Sequence, residues 1–206
     1  PSDVAAAPDG SIFIADWYDP GVGGHQVGDL DRGRIYRVSS PDTEYVLPDI
    51  DLSSPQGAVK ALLNPNMDIR YQGYQALAKM GAAAEAELEK LWKGDNPRHR
   101  AQAFWLLTLS EAKRDAYFDQ ALGDQDPNIR ITALRAARQL DFNVPAIAER
   151  MKDDRSAQVR REVALAIRGN NSQQAADIWA DLASQYDGKD RWYLEALGIS
   201  ADLNRD

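Results

Sequence analysis

The sequence predicts a mainly α protein, an α-α superhelix of about five helix pairs preceded by a short antiparallel β meander. Three observations carry that prediction. An arginine returns at a fixed interval, at Arg70, Arg100, Arg130 and Arg160 thirty residues apart and at Arg191 one residue later. Ahead of each stands a residue able to cap a helix, and apolar residues follow at helical spacing. The first fifty residues differ, with short β-branched and aromatic phrases broken by turns. A period of about 20–50 residues marks one supersecondary unit stacked on copies of itself.

Taken in order, Val4-Ala-Ala-Ala7 reads as a first strand ending at the turn phrase Pro8-Asp9-Gly10. Ser11-Ile-Phe-Ile-Ala-Asp-Trp17 supplies β-branched and aromatic residues over a strand's length. The Gly-rich stretch Pro20-Gly-Val-Gly-Gly-His25 is a loop by composition. Arg34-Ile-Tyr-Arg-Val38 alternates apolar and polar residues as a third strand, and Tyr45-Val-Leu47 is a candidate fourth. So small a meander has little core of its own and needs a neighbour. We place the boundaries at 1–50 for the β segment and 54–206 for the helical array.

Ser54-Pro55 opens the array with a cap and a proline at the first helical position. The remainder divides into helix pairs at 55–64 with 67–80, 82–93 with 97–109, 111–123 with 127–140, 143–153 with 157–168, and 171–186 with 188–202. Four residues before the arginines stand Asn66, Asn96, Asp126, Ser156 and Asp187, all able to accept from unpaired amides at a helix start. Pro97 and Pro127 follow where a missing donor costs nothing. Four and seven residues after the arginine come the predicted buried positions Tyr74 and Leu77, Phe104 and Leu107, Leu134 and Ala137, Ala164 and Ile167. Gly73, Ala103 and Ala133, three residues after it, are small enough to let helices approach closely.

A capping Asp or Asn, then Val or Ile, then Arg, in a thirty-residue helix pair, resembles the HEAT repeat, particularly its short bacterial form. The resemblance covers residues 55–206 and departs at His99, which holds the usual aliphatic position, and in the slipped last repeat, Asp190-Arg191-Trp192. It implies that Arg70, Arg100, Arg130, Arg160 and Arg191 are structural, bonding neighbouring turns of the stack. Repeat stability depends on such nearest-neighbour interfaces.

Composition closes off several functions. The 206 residues hold 24 Lys+Arg against 32 Asp+Glu. Residues 1–50 carry nine acids and three bases, and the rest 23 acids and 21 bases. Neither part suits a general nucleic-acid binder, which needs basic charge to displace counterions from phosphates. With no cysteine, disulfides, thiolate metal sites and thiol catalysis are excluded. No apolar run approaches the roughly 18–20 residues of a membrane helix, so no membrane insertion is expected. The two histidines form no His-Glu-x-x-His pair, and no Gly-x-Ser-x-Gly elbow or phosphate-binding glycine fingerprint occurs.

Asp16, Asp19, Asp29 and Asp31, with His25 between them, are hard oxygen donors of the kind that hold calcium, or that cap turns and pair with Arg32 and Arg34. The same region carries a second resemblance. Asp3 to Asp19, then Gly24-His25, then Arg32-Gly-Arg-Ile-Tyr-Arg-Val38, looks like the last blade of a β-propeller in large exported bacterial proteins, the membrane-bound (glucose/sorbosone-type) dehydrogenases. In those proteins the propeller is followed by HEAT repeats and often by a haem-binding cytochrome module. The resemblance implies a periplasmic or exported parent that oxidises sugars or alcohols with pyrroloquinoline quinone and calcium. It transfers no catalysis to this chain, which lacks Cys-x-x-Cys-His and supplies only about one blade. Pro1, standing in a strand-like phrase without an initiator Met, reads as the start of an excerpt or processed product.

The inner side of the array is the other candidate surface, lined by the second helix of each pair. Five residues past the arginines lie Gln75, Trp105, Arg135, Leu165 and Ala196, with Arg138 nearby. Trp105 beside Arg135 has the composition of a binding hot spot, and Trp105 alternatively fills an interhelical gap. Trp192-Tyr193 packs the last repeat or marks a junction with further repeats. We therefore expect a non-catalytic interaction or spacer module without a cofactor of its own, whose partner is a protein or neighbouring domains of the parent. Gln75, Trp105, Arg135 and Arg138 are its candidate contacts. The alternative is a fragment of a quinone- and calcium-dependent dehydrogenase that contributes the 16–31 loop to the active site.

Overall fold

Local capping chemistry sets the start of most of the helices. The computed structural model describes residues 2–16, 32–140 and 142–202. Its class is the expected one, mainly α after a short antiparallel meander. The chain divides into two compact units, Pro1–Leu88 and Glu89–Asp206.

In the first unit, β1 (Asp3–Ala6), β2 (Ile12–Asp16) and β3 (Arg34–Val38) pair antiparallel in that order, with Val4 opposite Ile14 and Ile14 opposite Tyr36. The β1–β2 turn is held by Asp9, whose carboxylate accepts from the Ser11 amide at 3.0 Å and hydroxyl at 2.7 Å, and from Arg37 Nη2 at 3.0 Å. Gly10 follows at φ +86°, a backbone geometry that favours glycine. One face of the sheet leaves Val4, Ile12, Tyr36 and Val38 exposed. The candidate fourth strand does not form. Among the described residues, 45–47 have no strand partner; their apolar side chains are exposed, and Pro48 beside them has no amide to pair.

The neighbour that the meander needs is the turn between α1 (Pro55–Leu62) and α2 (Met67–Met80). Two asparagines make the join. Asn66 Oδ1 caps α2 by accepting from the Ile69 amide at 3.0 Å, while its Nδ2 donates to the Ala6 carbonyl at 2.7 Å. Asn64 Oδ1 accepts from the Asn66 amide at 2.8 Å, and its Nδ2 donates to the Pro8 carbonyl at 3.1 Å. α1 starts at Ser54, whose hydroxyl caps the Gly57 amide at 3.1 Å. Gly73 brings α2 against the backbone of α1, where a Cβ would lie 2.4 Å from the Leu62 nitrogen.

Past a single 3₁₀ turn at Gly81–Ala84, α3 (Glu85–Trp92) begins a regular alternation. It continues with α4 (Pro97–Leu107), α5 (Arg114–Leu122), α6 (Pro127–Gln139), α7 (Val144–Met151), α8 (Ala157–Ala166), α9 (Gln173–Ser184) and α10 (Arg191–Ala201). In the second unit α4 packs on α6, α6 on α8 and α8 on α10. Its core contains the expected Phe104, Leu107, Leu134, Ala137, Ala164 and Ile167, with Ala103 and Ala133 wholly buried at the close contacts. A run of aromatic rings threads it, Trp92 to Phe104 at 5.8 Å, Phe104 to Phe118 at 5.3 Å and Phe118 to Phe142 at 4.0 Å.

Two expectations about caps need correcting. Ser156 stands at the start of α8, but its side chain makes no capping bond; its amide instead donates to Asp154 at 2.8 Å. The last repeat is shifted further than the sequence suggested. Asp187 accepts from the Lys189 and Asp190 amides in a turn through Gly188 at φ +77°, and the cap of α10 is Asp190, which accepts from Trp192 and Tyr193. Arg191 is thus the first residue of α10, whereas the other four arginines are the fourth of theirs.

Candidate functional site

The shift in α10 changes what the arginines do. Arg70 donates to the Asn64 and Pro65 carbonyls. Arg100 donates to the Trp92 carbonyl, pairs with Asp124, and places its guanidinium over the Trp92 ring at 4.9 Å. Arg130 donates to the Asp124 carbonyl and grips both oxygens of Asp154, and Arg160 donates to the Asp154 carbonyl. Arg191 takes no part in this series. It is exposed, beside Glu195 at 3.5 Å. Tyr193 closes the series instead, accepting from Arg160 Nε at 3.4 Å and donating to the Leu182 carbonyl at 3.0 Å.

Beside that ladder the second unit has a groove of about 910 Å³. Its walls are one repeated helix face. α6 contributes Asn128, Ile131, Thr132 and Arg135; α8 contributes Gln158, Arg161, Glu162 and Leu165; α10 contributes Trp192, Glu195, Ala196 and Ile199, joined by Arg191. Each foursome has the spacing i, i+3, i+4, i+7, which places its members on one side of an α-helix. Counted from each helix start, Ile199 is therefore the counterpart of Arg135 and Leu165, and Ala196 that of Glu162. Trp192 stands where the other two helices have Asn128 and Gln158.

The groove's charges are paired unequally. Arg135 Nη2 donates to Glu162 Oε2 at 2.9 Å, with the arginine side chain 61% exposed and the glutamate 7%. That hydrogen bond raises the Arg135 pKa against the opposing effect of burial. Arg161 lies 3.6 Å from Asp190, and Arg191 is 83% exposed. Trp192 is 70% exposed, next to the partly exposed Ile199. Such a lining offers guanidinium forks, amides and apolar surface, which is the chemistry of recognition.

Of the four candidate contacts read from the sequence, Arg135 lines this groove. Trp105, half-buried on α4, and Arg138, exposed in the last turn of α6, are not among its lining residues. Gln75 belongs to the first unit, where its amide donates to the Tyr71 hydroxyl at 2.7 Å. Sequence reasoning missed Trp192, Arg161 and Glu162, although the i, i+3, i+4, i+7 pattern repeats in the sequence once α10 is aligned by its cap. Tyr193 packs the last repeat as expected, but Trp192 does not.

In the acidic loop, Asp19, Asp29, Asp31 and His25 lie outside the described residues. Asp16 is the last residue of β2, in register with Arg34. Among the described residues no three His, Asp or Glu side chains come together as metal ligands. No described helix is long and apolar enough to cross a membrane. Neither protein-family models nor curated proteins give a match to the chain.

Proposed function

We propose that this chain is a non-catalytic interaction or spacer module of a larger exported bacterial protein, built as a HEAT-type stack that offers its inner surface to a partner. The observation that carries the reading is the groove, where three successive second helices turn the same face to solvent and place an exposed tryptophan among arginines. Tryptophan and arginine dominate the energetics of protein interfaces. The arginine ladder lies beside this surface and gives it a rigid base. The partner is a protein or a neighbouring domain of the parent chain. On this reading quinone, calcium and haem chemistry belongs to other parts of that parent.

Panning a random peptide display library against the full chain tests it, each enriched peptide then being assayed on Trp192→Ala and Arg135→Gln. Enriched peptides should lose binding to both variants while circular dichroism shows the fold retained. Enrichment confined to peptides indifferent to both changes would overturn the reading.

A further inference from the structure

We infer that the groove takes an acidic polypeptide segment anchored by an apolar residue, an inference that rests on the interaction reading above. The most exposed charges of the groove are opposite in sign to that of the chain. The protein carries a formal net charge of −8, and among the described residues the lining has three arginines against two glutamates, with Asp190 beside Arg161 at 3.6 Å as a third acid. Of these groups Arg135 and Arg191 are the most exposed, at 61% and 83%. One of those glutamates, Glu162, is buried beneath Arg135. A guanidinium has five N–H donors in a planar fork, and Glu162 engages Arg135 through Nη2. A carboxylate arriving from solvent thus meets a fork that its internal partner has oriented. Arg191 pairs with Glu195 at 3.5 Å within one exposed helical turn, the kind of contact that contributes little and exchanges readily for a better partner.

Arginine rather than lysine is informative, because its fork matches a carboxylate in two-point geometry. Among the described residues the groove lining has no lysine. The lining also includes Ile131, Leu165, Ile199 and the Trp192 indole, apolar surface that suits an anchoring side chain more than a uniformly charged polymer. A nucleic acid, whose every residue brings a phosphate, asks for more positive charge than three arginines supply. Three helices packed about 8–10 Å apart span roughly 20 Å. That is the reach of about six extended residues, so the segment is short and lies across the helices.

The test titrates fluorescein-labelled synthetic peptides of Glu and Leu, in several spacings, into the full chain, beside Lys-Leu and Ser-Leu counterparts and a single-stranded oligonucleotide. Anisotropy should show tightest binding for Glu-Leu peptides, weakening as salt rises. Arg191→Glu and Trp192→Ala, both exposed positions, should each weaken it by about tenfold. Lys-Leu or Ser-Leu peptides that bind as tightly, and still depend on Trp192, would overturn the acidic assignment while leaving the interaction reading in place. Displacement of the Glu-Leu peptide by the oligonucleotide would overturn it in favour of a polyanion. If no peptide of any charge binds and the display library also returns nothing sensitive to Trp192, both readings fall.

Discussion

Arg130 holds Asp154 with two hydrogen bonds, Nε to Oδ2 and Nη2 to Oδ1, each at 2.8 Å. The same aspartate passes the connection on, since its carbonyl accepts from Arg160 at 2.6 Å and its Oδ1 from the Ser156 amide at 2.8 Å. One repeat earlier, Asp124 stands in the same relation to Arg100 and Arg130. An aspartate six residues before one arginine and twenty-four after the previous one therefore joins consecutive turns through side chain and backbone together. Geometry of this kind links α4 to the turn before α6 and α6 to the turn before α8, and α6 and α8 are two of the three groove walls.

The pair is buried, Arg130 to 4% exposure and Asp154 to 9%, so removing one member strands the other. Asp154→Ala should cost about 3–5 kcal/mol, as for other broken buried pairs. Asp119→Ala, which removes the exposed partner of Arg150, should cost at most about 1 kcal/mol. Urea denaturation of the two variants compares them directly, and equal losses would show that the ladder is no stronger than a surface pair.

The helix pairs were legible because their signals are local. Asn66, Asn96 and Asp126 cap by bonding amides two or three residues away, and the apolar spacing within each helix repeats the same burial. Asp124 and Asp154 were not legible as ladder partners, because identifying them requires knowing which turn lies next in the stack. The last repeat was misread for a related reason. Its arginine was matched by identity, whereas Gly188 and the Asp187 turn delay the helix until Asp190. With that register corrected, Tyr193 falls at the buried position of Ile129 and Val159, and Trp192 falls in the groove. The groove was thus half legible. Arg135 and Leu165 follow from periodicity, while Trp192 depends on a turn three residues long.

Gly73 and Gly198 should respond oppositely to the same substitution. A Cβ at Gly73 would meet backbone atoms of α1 at 2.4 and 2.8 Å, and backbone cannot yield as a side-chain tip does. Gly73→Ala should destabilise the chain by about 1–3 kcal/mol. Nothing lies within 4 Å of a Cβ at Gly198, inside α10, so Gly198→Ala should stabilise by about 0.5–1 kcal/mol. Thermal unfolding should move the two midpoints in opposite directions, and a neutral Gly73→Ala would show that α1 and α2 separate easily.

Asp51 gives the first unit a defined acid response. Its carboxylate accepts from the Ser54 hydroxyl, then from the Ser53 hydroxyl and amide, and these bonds hold its pKa well below the usual carboxylate range. Asp9 is lowered in the same way, chiefly by the Ser11 hydroxyl. A depressed folded pKa contributes stability that is complete above the unfolded value, about 3.9, and is lost as pH falls through the folded one. Carboxyl carbon shifts followed by NMR should show Asp51 still ionised at about pH 3, where an ordinary aspartate is mostly protonated. Titration of Asp51 near the ordinary value would remove this serine cradle as the anchor of α1.

Trp192 and Tyr193 are sequence neighbours with opposite fates, and that contrast separates a binding residue from a packing one. Tyr193 is buried, and its hydroxyl links Arg160 to the Leu182 carbonyl, so Tyr193→Phe should cost about 1–2 kcal/mol by leaving that carbonyl and guanidinium short of a partner. Trp192 is mostly exposed, and Trp192→Ala should change stability by no more than about 0.5 kcal/mol. Denaturation measures the first quantity and peptide anisotropy the second. Tyr193→Phe should leave peptide affinity unchanged, because its hydroxyl points into the ladder, while Trp192→Ala should reduce affinity with the fold intact. A Trp192→Ala chain that loses about 2 kcal/mol or more would instead place the indole among the packing residues of the last repeat.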